Sequence, residues 1–72
     1  MPHYTIFSRN EYRKIKNLLE KISEKAKVEQ LEIYNILKET YGFYVSDFSR
    51  VRPYTSITLE QDVEKGLIKI TQ

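Results

Sequence analysis

Between Tyr41 and Tyr54 five aromatic residues (Tyr41, Phe43, Tyr44, Phe48 and Tyr54) surround two guanidinium groups, Arg50 and Arg52. An aromatic face stacks on an unpaired base and a guanidinium holds a phosphate, so this interleaving suits a single-stranded nucleic-acid contact. Phe43 and Phe48, together with Val51, suit a hydrophobic core equally well. Pro53 predicts an exposed turn that would hold Arg50, Arg52 and Tyr54 in water.

Charge is unevenly distributed upstream of that run. Residues 9–27 carry seven basic side chains (Arg9, Arg13, Lys14, Lys16, Lys21, Lys25, Lys27) against three acidic ones (Glu11, Glu20, Glu24), whereas residues 28–49 are net acidic. Such a segment is either a solvated helix face laced with pairs four residues apart or a surface that meets phosphates. The residues expected to contact nucleic acid are therefore Arg50, Arg52, Tyr54, Lys65 and Lys69, with Arg13 and Lys14 from the basic segment. The overall formal charge of +2 is too small to require a polyanionic partner.

Catalytic chemistry finds little support. The one histidine, His3, has no marked carboxylate or nucleophile partner, and the absence of cysteine excludes a disulfide scaffold and any thiolate metal cluster. Asp62 and Glu64 diverge on either a strand or a helix, so they form no acid–base pair. Two glycines, Gly42 and Gly66, are too few for a phosphate-binding loop. Pro2 before a strand and helix resembles the start of the small tautomerases, whose amino-terminal proline acts as a base. That resemblance stops there, because this chain continues with a helical pattern where that family has a second parallel strand. A non-enzymatic protein without cofactor or metal is expected.

Three kinds of element must position these residues. His3 to Phe7 is β-branched and aromatic, which predicts a short strand. Ser8 or Asn10 can cap the helix that follows, where Tyr12, Ile15, Leu19, Ile22 and Ala26 recur at helical spacing. A second helical pattern spans Val28 to Tyr41 and stops at Gly42. No Gly or Pro separates the two, so one helix over 9–41, pairing as a coiled coil, competes with two helices bending near 25–28; we favour two. The segment 55–71 reads either as a hairpin (strands near 55–60 and 67–71) or as a short helix, opened by a Thr58–Gln61 capping box, before a final strand. That last strand should pair with the first strand or with its hairpin neighbour.

A helix ending at Tyr41, a turn at Gly42 and a short helix holding Phe48 and Val51 approximate a helix-turn-helix, with the 55–71 hairpin as a wing. Lys38 departs from that pattern, which wants a small residue close to the turn. Seventy-two residues make a single small α+β domain (1–72). A chain this short buries only about 60% of its unfolded surface, so aromatic packing or a second subunit, as in a homodimer, must supply stability. The expected core is Ile6, Ile15, Leu19, Ile22, Ile33, Leu37, Phe48, Val51, Leu59 and Ile70.

The opening residues lack the basic and apolar regions of a signal peptide, and the longest apolar run is Phe43–Val45. A cytoplasmic protein without membrane contact is expected. Two functions fit: a small DNA- or RNA-binding transcription regulator, or a protein-interaction module docking on an acidic protein surface, such as an inhibitor or accessory factor of a virus or mobile element.

Overall fold

The structure is a computed structural model that describes residues 5–45 and 53–71. It begins with strand β1 (Thr5–Ser8), which runs directly into helix α1 (Arg9–Leu19). Ser8 is the hinge. Its extended backbone ends the strand while its hydroxyl accepts from the Glu11 amide at 3.1 Å, and the Glu11 carboxylate accepts from the Ser8 amide at 3.0 Å. This reciprocal box satisfies two amide donors at the helix start.

Two helices, not one, occupy 9–41. A turn and one short 3-10 segment (Ile22–Glu24) separate α1 from α2 (Lys27–Tyr41), slightly earlier than the bend expected at 25–28. The sequence lacks a Gly or Pro there, and the break is held instead by Gln30. Its side-chain amide donates to the carbonyls of Ile22 and Lys25, both at 3.1 Å, satisfying groups freed by the turn. Burial of Ile22 pulls the turn onto the core. At the far end Gly42 adopts φ +65°, and the amides of Gly42 and Phe43 cap the carbonyls of Lys38 and Leu37 at 3.0 Å each.

The C-terminal region resolves the competition between hairpin and helix. Residues Ser56–Glu64 form helix α3, so the hairpin and the wing it would have made are not what the chain builds. The cap also lies earlier than the Thr58–Gln61 pattern implied: the Thr55 hydroxyl accepts from the Thr58 amide. Gly66, at φ +80°, turns the chain into strand β2 (Ile68–Thr71). The short helix of the helix-turn-helix reading, with Phe48 and Val51, lies outside the described residues.

β2 pairs with β1 in parallel, Phe7 opposite Ile70 and Ile6 opposite Lys69. The inner face buries Phe7 and Ile68 and half-buries Ile70, whereas Ile6 is 55% exposed on the other side. The expected placement of Ile6 in the core is thus corrected by one residue, because alternation along a strand sends neighbours to opposite faces.

The core joins Phe7, Ile15, Leu19, Ile22, Tyr34, Leu37, Phe43, Tyr54, Leu59 and Ile68, with Ile33 packed at its edge. Phe43 meets Phe7 edge-on at 5.4 Å and Tyr54 at 5.5 Å, a favoured aromatic geometry. Tyr34 supplies the polar clasp of this core. Its hydroxyl accepts from the Tyr54 amide at 2.8 Å and donates to the Tyr54 carbonyl at 3.3 Å, while the Tyr54 hydroxyl donates to Asp62 at 2.6 Å. α2, the segment before α3, and α3 are tied together in this way.

Two outcomes follow from these contacts. Tyr34→Phe removes the hydroxyl that bonds the buried Tyr54 amide and carbonyl and should cost about 1–3 kcal/mol in urea unfolding; an unchanged midpoint would exclude the clasp. The Ser8 amide and hydroxyl hold the Glu11 carboxyl below its ordinary pKa. A lowered folded-state value means the contribution is present above the ordinary carboxylate range and is lost as pH falls through the folded value. The stability difference between wild type and Glu11→Gln should therefore shrink below about pH 4, measured by urea midpoints across pH.

Candidate functional site

α1 carries two different basic flanks. Arg9, Tyr12, Arg13 and Lys16 follow at i, i+3, i+4 and i+7, so they share one side of the helix. Because β1 feeds straight into α1 and β2 lies parallel to β1, Ile70 of β2 stands opposite that side. Together these five residues line an open groove of about 480 Å³. Arg9 and Arg13 are exposed, and among the described residues neither pairs with a carboxylate. Tyr12 is half-buried and packs against the core, so its ring is anchored at the groove it shares with the two arginines.

Lys16 closes one end of the groove and is not an independent cation. Its ammonium lies 2.6 Å from a Glu60 carboxylate oxygen, linking α1 to α3. That hydrogen bond, followed by the charge of Glu60, raises the Lys16 pKa above the ordinary lysine value. The attractive groups for an anion are therefore the two arginines.

Of the seven residues expected from sequence, five are among the described residues, and these five do not gather in one place. Of them Arg13 alone lines the α1–β2 groove. Lys14 lies on the opposite flank, in a shallow groove with Asn17, Leu18, Ile36 and Tyr41 between α1 and α2. Lys65 caps the end of α3 near Asp62 and Leu67, and Lys69 sits on the outer face of the sheet opposite Ile6. Arg50 and Arg52 lie outside the described residues, as do His3 and Pro2.

Tyr54 requires a correction. Pro53 suggested an exposed turn, yet Tyr54 is only 6% exposed, with its hydroxyl bound to Asp62 and its backbone clasped by Tyr34. Its ring is core and is not available to stack on a base.

Arg9, Tyr12, Lys16 and Ile70 were not expected as a site. The signal for three of them was present in their one-turn spacing on α1, but Tyr12 reads as core from the same periodicity. Ile70 could be added only with knowledge that β2 runs beside β1. Among the described residues no cluster of three His, Asp or Glu side chains could hold a metal, and no helix is long and apolar enough to cross a membrane. Comparisons with family models, curated proteins and solved structures give no match.

The Lys16–Glu60 contact has a chemical readout. A raised pKa leaves less neutral amine to react, so Lys16 should be acetylated by acetic anhydride at pH 8 more slowly in wild type than in Glu60→Gln. Peptide mass spectrometry measures this, and equal rates would rule out the link between α1 and α3.

Proposed function

We propose that this protein is a small non-catalytic nucleic-acid-binding regulator that contacts phosphates through basic residues of α1. The observation that carries this reading is the α1–β2 groove, where Arg9 and Arg13 stand exposed, without a carboxylate partner among the described residues, along the same groove as Tyr12. Guanidinium forks match phosphate oxygens in a bidentate manner, and an aromatic face accepts a base. Lys14 on the other flank adds a third cation for a backbone that passes over the helix.

Docking on a partner protein has a separate support. Val28 and Ile57 are 68% and 65% exposed, and Tyr44 is 70% exposed. Exposed apolar side chains of this kind serve protein contacts when they are contiguous. An association through these apolar side chains, unlike one through charges, would depend only weakly on salt.

Phosphate contacts release counterions, so salt separates the two readings. Three such contacts should weaken binding of a mixed-sequence oligonucleotide about 20- to 40-fold between 50 and 200 mM salt. Arg9→Ala combined with Arg13→Ala should lower the slope of log K against log salt by about 1.4–1.8. Fluorescence anisotropy measures both quantities. Retention of the full slope by the double variant would reject the α1 surface as the phosphate contact.

A further inference from the structure

We infer that the groove between α1 and β2 takes an unpaired base of a single strand, stacked on Tyr12 with its flanking phosphates on Arg9 and Arg13; this rests on the nucleic-acid reading above. The shape of the site favours a single strand over a duplex. Proteins that read duplex DNA with a helix lay its convex face in the major groove, which is about 12 Å wide and close to a helix diameter. Here the flank of α1 bearing Arg9, Tyr12, Arg13 and Lys16 forms an open groove with Ile70 of β2. A base that is already free of its partner can enter a concave site, whereas a paired base cannot.

The chemistry of the lining agrees with this shape. Tyr12 and Ile70 offer apolar surface to the two faces of a planar ring, and Tyr12 is held by its packing against the core. Arg9 and Arg13 are one helical turn apart, about 5–6 Å between their Cβ atoms, and so can reach phosphates on either side of the stacked base. Lys16 contributes less to the anion, because its ammonium already pairs with the Glu60 carboxylate at 2.6 Å. The second groove of α1, beside Ile36 and Tyr41, has Lys14 as its one cation among the described residues and lacks this arrangement.

The test compares a labelled oligonucleotide, single-stranded and annealed to its complement, by anisotropy at about 50 mM salt, where phosphate contacts are strong. The single strand should bind more tightly than the duplex. Tyr12→Leu should weaken single-strand binding at least about fivefold, the low end of what one base–aromatic stack contributes, while Tyr12→Phe retains it. Arg13→Ala, which alters an exposed side chain and keeps the core intact, should weaken it as well. If Tyr12→Leu loses its far-UV circular dichroism, the Arg13→Ala result decides.

Equal or tighter duplex binding, or no effect of Arg13→Ala or of a folded Tyr12→Leu, overturns the inference while leaving nucleic-acid binding in place. Competition by a nucleoside monophosphate as effective as the oligonucleotide makes the occupant a free nucleotide and overturns the strand assignment. Failure of both oligonucleotides to bind overturns the reading beneath it.

Discussion

The parallel pairing of β1 with β2 is the constraint on which this small structure depends. It joins the two ends of the described chain: the Thr71 hydroxyl donates to the Phe7 carbonyl at 3.3 Å across 64 residues. Closing a loop of that length costs about 3–4 kcal/mol from its logarithmic part alone. A two-stranded sheet cannot offset that by itself. The compensation comes from the inner face, where Phe7 and Ile68 enter the same core as Ile15, Leu19 and Leu59. Three helices are thereby gathered on one side of the ribbon, and the opposite side keeps Ile6 and Lys69 in water.

The aromatic residues divide the remaining work. Phe43 bridges Phe7 and Tyr54, so the strand at one end of the chain and the segment before α3 share one chain of edge-on rings. Tyr34 adds direction to this packing. A hydroxyl that both accepts from and donates to the backbone of one residue fixes Tyr54 in place more narrowly than apolar contact does. Burial raises the Tyr34 pKa, which keeps the hydroxyl protonated and able to donate. A chain without cysteines thus obtains from tyrosines a cross-link between elements that are distant in sequence.

What the sequence made legible was whatever local periodicity could carry. Ile15 and Leu19 announce α1, Gly42 announces the end of α2, and Leu59 remains inward whether its segment is read as strand or helix, whereas Ile22 read as part of the first helix and lies in the turn after it. Hidden features were those decided by distant partners. The strand phase could not be settled between Ile6 and Phe7, because both are apolar and the choice depends on which face meets α1. Thr55 to Leu59 alternates like a strand, yet the Thr55 cap and the Tyr54–Asp62 bond commit it to a helix. Tyr54 looked exposed because Pro53 marks a turn, and nothing nearby in sequence points to Tyr34 as its partner. The basic character of α1 was legible. The division of Arg13 and Lys14 between two grooves was not, since it depends on β2 lying along one flank and α2 along the other.

The strand pairing also fixes the geometry of the α1–β2 groove. Arg9, Tyr12 and Arg13 occupy the first turns of α1, where an uncapped helix frays. Here that turn is anchored at both ends: Ser8 and Glu11 close the box at its start, and Ile15 and Leu19 are fully buried just beyond it. Ser8 is also the last residue of β1, so the hydrogen-bonded register of the sheet sets where the helix begins and which way its first side chains project. The distance from Tyr12 to Ile70 is consequently a property of the strand pairing and not of flexible loop geometry. A site on rigid elements loses little binding energy to ordering, and here Tyr12, Arg9 and Arg13 are held in fixed relation before any ligand arrives.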